Sequence, residues 1–257
     1  MGVADTPRDI VAHMSAFPAW LRRLHKGERP FWLPEDAVIA RYLADRDRWF
    51  RYRWPRYQLQ MIKDLASLLP AGRCSILDIG AGSGLIGETI AALFPEKTVI
   101  GVDIASNASS TLRIPFVRFD GRRLPFADRS FDCALLCNML HHVKPEVRTS
   151  LMGEALRITG GGPIVIKDHL VSAPLDRLRL WFLDVLGNAP RGFMVSATYL
   201  GELQWEQLLR ELDCCGAILP GSGYRTGLWS WVFPNRLEIC LRIPRKSPDA
   251  HAVASDA

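Results

Sequence analysis

No two of the six cysteines stand in a C-x-x-C pair, so the chain offers neither a zinc ligand spacing nor a disulfide framework. Four of the six lie in or beside apolar runs, as buried thiols do in a reducing compartment. No apolar run approaches the roughly 20 residues of a membrane-crossing helix. The opening MGVADTPRDIVAHM is polar and lacks the apolar region of a secretory signal, so a cytoplasmic protein is expected. Nor is there a run of about five like charges. The net charge of +5 comes from scattered basic residues, which does not make the concentrated footprint of a nucleic-acid binder. Internal repeats are absent. What remains is ordinary globular material, 48% hydrophobic and 23% charged over 257 residues, enough for one sizeable α/β domain with additions.

The pattern along the chain divides it into a helical N-terminal cap (1–72), a larger unit (73–244) and a polar tail (245–257) expected to be disordered. Within the cap, Val38, Ile39, Tyr42 and Leu43 share one helical face, and Tyr57–Leu69 reads as a second amphipathic helix. Apolar strands then alternate with helices. Strands are expected at Ser75–Ile79, Thr98–Val102, Pro115–Phe119, Asp132–Asn138 and Pro163–Ile166, with helices at Leu85–Phe94 and Glu146–Ile158. Strands that are apolar throughout belong to a parallel sheet covered on both faces. Beyond Asp168 the regularity breaks into an insertion (171–197), a helix over Thr198–Leu212, and late strands at Ala217–Leu219 and Leu237–Ile243. The apolar run Trp229–Phe233 fits either a dimer contact or a buried edge strand.

The loop LDIGAGSGLIGETIA (77–91) admits two glycine registers. Gly82, Gly84 and Gly87 fit G-x-G-x-x-G, which holds a pyrophosphate at a helix N-terminus. Gly80, Gly82 and Gly84, preceded by Asp78, fit an acidic-plus-glycine loop suited to a cationic cofactor. The first register leaves Asp78 to repel a diphosphate. The second gives it a role.

The linked segments LDIGAGSG, GVDI, FDGRRLPFADRSFD and LLCNMLHHV settle the choice. Over about residues 73–170 the chain resembles the class I S-adenosylmethionine-dependent methyltransferases, in particular the small-molecule type 11 branch. That resemblance implies a Rossmann-like, seven-stranded, mostly parallel sheet with the last strand antiparallel. It also implies S-adenosyl-L-methionine as cofactor, held by Asp78, Gly80, Ala81, Gly82 and Gly84, by Asp103 and Ile104 at the ribose, by Asp120 and Gly121 at the adenine, and by Asn138 and Met139 beneath the methionine moiety. One departure stands out. Only sixteen residues separate Asp103 from Asp120, so the crossover helix normally found there is expected to be missing or vestigial.

Four residues at the carboxyl ends of the fourth and fifth strands are candidate catalytic groups: His141, His142, Asp168 and His169. Each histidine of the first pair is either an acceptor-orienting base or a pin for its own loop. Asp168 and His169 are neighbours on a strand, so at most one faces the substrate, with Asp168 favoured. No paired ligand spacing calls for a metal, and none is expected. For the acceptor, the aromatics and arginines of the cap and insertion are the candidates, with Trp54, Tyr57, Trp181 and Arg191 singled out. They suit a small anionic or apolar acceptor, methylated at oxygen in preference to nitrogen or carbon. Two alternatives remain: a quinone or lipid methyltransferase touching a membrane surface, and an inactive cofactor-binding regulator. The chain is expected to be a monomer or homodimer that does not bind nucleic acid.

Overall fold

The computed structural model describes residues 34–47, 55–105, 107–189, 192, 195–214 and 216–244. Seven strands form one sheet: β1 (Cys74–Ile79), β2 (Lys97–Asp103), β3 (Phe116–Arg118), β4 (Cys133–Cys137), β5 (Ile164–His169), β6 (Ala217–Pro220) and β7 (Glu238–Ile243). Their order is β3-β2-β1-β4-β5-β7-β6. The first five run parallel, and β7 inserts antiparallel between β5 and β6. The strand pattern predicts the parallel part of this α/β sheet, and the resemblance its antiparallel last strand.

The all-apolar strands are explained by cover on both faces. On one face Ile76, Val99, Leu135 and Val165 meet Ile39, Tyr42 and Leu43 of α1 (Asp36–Arg46), Leu59, Ile62 and Leu65 of α2 (Arg56–Leu68), and Ile90 of α3 (Leu85–Leu93). On the other, Leu77, Ile79, Leu136 and Ile166 meet Leu151, Met152 and Ile158 of α4 (Pro145–Thr159) and Trp205 and Leu208 of α6 (Glu202–Glu211). The N-terminal helices therefore share a core with the sheet. Between β5 and α6 lies α5 (Asp176–Asn188), fixed by Asp176, whose buried carboxylate accepts from Arg236 Nη2 at 3.0 Å and the Ala173 amide at 2.8 Å.

Among the described residues, no helix occurs between β2 and β3, as the short crossover predicts. Glu88 of α3, fully buried, stitches the segment down instead. It accepts the Arg113 amide at 2.8 Å, the Tyr42 hydroxyl at 2.7 Å and the Arg46 guanidinium, which in turn reaches Thr111 O at 2.5 Å.

Three expectations need correction. β5 extends to His169, because Asp168 and His169 pair with Ile239 and Glu238 of β7. The helix expected from Thr198 begins at Glu202, since Gly201 lies extended beside Val171, whose amide donates to Leu200 O at 3.0 Å. The Trp229–Phe233 run is not an edge strand: Leu228–Val232 form a short helix, α7, with Leu228, Trp229 and Trp231 exposed. Both edges of β7 are already paired, so the sheet leaves no place beside it for this run. No helix of the described residues is long and apolar enough to cross a membrane.

Candidate active site

β1 delivers the chain at Ile79 into three glycines with left-handed backbone, Gly80, Gly82 and Gly84, at φ of 71°, 56° and 79°. A Cβ on Gly80 would lie 2.9 Å from Met139, and one on Gly84 2.6 Å from Leu112. Gly82 is different: a Cβ there would meet nothing within 4 Å, so only the backbone conformation asks for glycine. Its amide donates to Asp103 Oδ2 at 2.8 Å, and the Ala105 amide donates to Asp103 Oδ1 at 2.9 Å. Asp103 is thereby fixed across from the glycine loop at the end of β2. Beside it Ile104 leaves 48% of its surface exposed. Gly121, at φ 79°, brings its Cα close against the Ile104 side chain, where a Cβ would lie 3.1 Å away.

Asp78 does not reach this surface. It is 1% exposed, lies under the start of α3, and its carboxyl oxygens have no hydrogen-bond partner. Burial, aided by the charge of Asp103, pushes its pKa up to about 7. Asp120 is also turned from the cavity: Oδ1 accepts the amides of Arg122 and Arg123 at 2.9 and 3.1 Å, and these bonds hold its pKa below the usual carboxylate value.

A cavity of about 1450 Å³ runs from Gly80, Ala81 and Gly82 past Asp103 and Ile104 to Asn138, Met139 and the histidines. Its floor is shaped by Asn138, a non-glycine residue at φ 50° that turns the chain sharply after β4. A short 3-10 turn, Leu140–His142, follows. His141 Nδ1 lies 2.5 Å from Asp168 Oδ1. Asp168 also accepts the Leu140 amide at 2.9 Å and the His169 amide at 2.7 Å, and it is 1% exposed. The reading that Asp168 faces the substrate is therefore corrected: Asp168 backs His141, and His169 lines the cavity. His142 Nδ1 donates to Ser196 O at 2.9 Å, which makes it the pin of its loop, while its ring also touches the cavity.

His141 Nε2 is buried without a hydrogen-bond partner, 3.6 Å from Asp184 Oδ2 of α5. Asp184 takes the hydroxyl of Tyr199. Burial opposes charge on His141, but Asp168 and Asp184 outweigh it and raise the pKa above the ordinary histidine value. Burial also lowers that of His142, and the neighbouring His141 charge lowers it further. Asp168 is held far below the usual range, since His141 and His169 overcome the cost of its burial.

A second buried network walls the same cavity. Lys167 and Glu238 are wholly inaccessible and bond each other; Lys167 also reaches Asn138 Oδ1 at 2.7 Å, and Arg225 takes the other Glu238 oxygen. Tyr57 donates to Glu238 Oε2 at 2.9 Å and lines the cavity. Burial would neutralise both ions, yet mutual attraction keeps Lys167 raised and Glu238 well below its normal value.

Of the acceptor residues expected from sequence, Tyr57 is at the cavity. Trp181 is not: it sits on the outer side of α5, 47% exposed, edge-on to Phe182 at 5.4 Å. Trp54 and Arg191 lie outside the described residues. Sequence reading missed Lys167, Asp184, Arg225 and Glu238 as site residues, and has Tyr199 only among the aromatics of the acceptor side. Asp184 carried a signal, as the acid of the LD-x-x-GNAP stretch 183–190, and so did Lys167, a charge at the end of an apolar run.

A family model described as a methyltransferase domain matches residues 76–162. That span runs from β1 through α4, so it holds the glycine loop, Asp103 and His141, and stops before β5. An uncharacterized methyltransferase of Mycobacterium tuberculosis is 25% identical over 179 residues, covering 65% of this chain and 89% of its own. Among solved structures, the methyltransferase in a complex with the Haloferax volcanii Trm112 methyltransferase activator superposes with a TM-score of 0.58 at 13% identity, covering 84% of this chain and 97% of its own. A Thermotoga maritima protein described as a possible histamine N-methyltransferase gives 0.54 at 19% identity, covering 82% and 99%. The two structural likenesses carry the fold.

Proposed function

We propose, from the premise that the chain is a class I S-adenosylmethionine-dependent methyltransferase, that it methylates a hydroxyl oxygen of a small acceptor lodged against His141, Asp184 and His169. The observation that carries this reading is the single cavity joining the glycine loop to His141 Nε2, a buried nitrogen without a partner.

The cofactor half fits an adenosyl group. Each Asp103 oxygen holds one backbone amide and keeps a lone pair for a ribose hydroxyl. Ile104 offers an exposed apolar face for the adenine, and Gly121 keeps that face clear. The opening at Gly82 lets the methionine part pass close to backbone. Asp78 acts from beneath, supporting the loop without touching the ligand.

When bound, S-adenosylmethionine supplies an electrophilic methyl carbon on a sulfonium. An acceptor hydroxyl that attacked it would give up its proton at the His141 cluster. The chain's part is placement and proton removal. Asp168 fixes the His141 ring through Nδ1 and leaves Nε2 facing Asp184, 3.6 Å away. Tyr199 fixes Asp184, and the Lys167–Glu238–Arg225 network sets a rigid, charged wall at the far side of the acceptor.

The test pairs calorimetry with turnover. S-adenosylmethionine and S-adenosylhomocysteine should bind at micromolar levels and lose binding in Asp103→Ala. Transfer of a labelled methyl to hydroxyl-bearing acceptors should vanish in His141→Ala while cofactor binding stays. Failure of the wild-type chain to bind either adenosyl ligand would sink the reading.

A second reading concerns where the acceptor comes from. α7 exposes Leu228 at 82%, Trp229 at 64% and Trp231 at 79%, and Trp229 stands on the rim of the cavity. Leu186 of α5, 60% exposed, stands on it too. This apolar rim favours an amphipathic acceptor, such as a quinone or lipid, taken up from a membrane surface.

A further inference from the structure

We propose that His141, His169 and Asp184 form a binding site for one divalent transition-metal cation, zinc-like in its ligand preference, opening onto the acceptor half of the cavity. The inference rests on the functional reading for the cation's role, but not for its presence.

The three side chains come from three separate elements: the turn after β4, the end of β5, and α5. One donor atom from each lies within 4.8 Å of the other two, and all three residues are buried. His141 Nε2 and Asp184 Oδ2 are already 3.6 Å apart. Two donors on one tetrahedral zinc stand about 3.3 Å apart, as follows from bonds of about 2.0–2.1 Å. The remaining distances, within 4.8 Å, close to that spacing with a side-chain shift of up to about 1.5 Å. Two imidazoles and a carboxylate are a common set for zinc and for iron, and they leave positions open for an exogenous ligand.

The surroundings of the three donors are the stronger argument. A ligating histidine commonly gives its second ring nitrogen to a carboxylate, which fixes the tautomer and raises the basicity of the ligating atom. His141 is backed in this manner, and His169 has a carboxylate beside its second nitrogen without a hydrogen bond to it. His141 Nδ1 meets Asp168 Oδ1 at 2.5 Å, and Asp168 is held in place by two backbone amides. His169 Nδ1 stands 3.1 Å from Glu238 Oε2, off the line of a hydrogen bond, and Glu238 is anchored by Lys167 and Arg225. The ligating carboxylate has an outer partner too, the Tyr199 hydroxyl. Meanwhile His141 Nε2 is buried with no partner. A buried nitrogen facing a carboxylate across 3.6 Å, with every group behind it already bonded, is satisfied by a cation placed between them.

Such a cation would sit where the acceptor hydroxyl arrives. An acceptor oxygen in an open position gives up its proton more readily, because the positive charge stabilises the oxyanion. The proton leaves to solvent through the cavity mouth, and the methyl transfer itself is unchanged in its balance.

The experiment uses the full chain without a polyhistidine tag, stripped with chelator and titrated with Co²⁺. Expected is one equivalent bound, with the visible absorption of a low-symmetry cobalt site, displaced by Zn²⁺. His169→Gln and Asp184→Asn should each lose the cobalt spectrum. Asp168→Asn should retain it with affinity weakened about 10–100-fold, as outer-shell changes do. Retained S-adenosylmethionine binding in each variant shows that it is folded. The proposal is overturned if the wild-type chain binds no cobalt, or if the two ligand variants bind it as well as the wild type. In that event, loss of turnover in His141→Ala with cofactor binding intact leaves the methyltransfer reading standing, with His141 itself as the base. A chain that takes cobalt but no adenosyl ligand would break that reading and leave the metal site in place.

Discussion

Gly87 lies directly over the Asp78 carboxyl: a Cβ on Gly87 would stand 2.7 Å from Asp78 Oδ2 and 3.1 Å from Val99. The glycine that completes the G-x-G-x-x-G register is therefore there so that α3 can settle on a buried acid. It does not free a helix end for a pyrophosphate. The two glycine registers share a loop and divide its work: Gly80, Gly82 and Gly84 shape the ligand side, and Gly87 the core side.

From that contact follows a stability prediction. The pKa of Asp78 rises on folding from 3.8 to about 7, so the folded chain binds more protons than the unfolded one between those values. Stability then falls as pH rises through that window and stays down above it. Asp78→Asn removes the cost. It should raise the unfolding free energy in urea relative to wild type at about pH 8, by roughly 4 kcal/mol at most, and by much less at about pH 5. Equal effects at both pH values would contradict the buried, uncompensated acid. Gly87→Ala should cost about 1–3 kcal/mol at either pH, by overpacking.

His141→Ala and Asp168→Asn should separate chemistry from binding. Both leave the glycine loop and Asp103 untouched, so S-adenosylmethionine affinity should change less than about threefold. Turnover should fall by about 10²–10⁴, the usual worth of a positioned proton acceptor or its orienting partner. Parallel losses of cofactor affinity in calorimetry would mean that the turn after β4 had collapsed instead.

Much of the fold was legible because the first five strands are short apolar runs, the first three closed by a glycine or an acid. Trp229–Phe233 has the same composition as a buried strand, and composition alone does not tell them apart. What separates them is the sheet order, a property of the whole sheet, in which β6 and not this run takes the edge beside β7. The site follows the same logic. His141 and Asp168 are 27 residues apart and were each read singly. They meet because β4 and β5 pair with Cys137 opposite Lys167, which sets the segments just beyond side by side. Lys167 and Glu238 meet for a like reason, through the antiparallel register of β5 and β7. A charged residue inside a strand pattern, Lys167 in IVIKDH, was the visible sign that a buried partner had to exist.

That partner gives an asymmetric prediction. Glu238 serves Lys167, Arg225 and Tyr57 together. Glu238→Gln would leave two cations facing each other without an anion, and should destabilise by about 3–5 kcal/mol in urea denaturation. Lys167→Met leaves Glu238 with Arg225 and fills the space with apolar volume, so its cost should be clearly smaller. The reverse ranking would mean that Lys167, not Glu238, is the hub.

The exposed rim predicts a partition. If the acceptor is drawn from a membrane, the indoles of Trp229 and Trp231 should enter the interface. Their fluorescence should shift to the blue on adding vesicles. Arg177, exposed in the first turn of α5, together with the net charge of +5, should make binding stronger on vesicles with an anionic lipid. Trp229→Ser with Trp231→Ser should release the chain from such vesicles in co-sedimentation, while cofactor binding in solution stays as it was, because neither indole touches the glycine loop. Raising salt should weaken the electrostatic share and leave the apolar share. A chain that stays in the supernatant with anionic vesicles at low salt has a rim for another purpose, and its acceptor then reaches the His141 cluster from free solution.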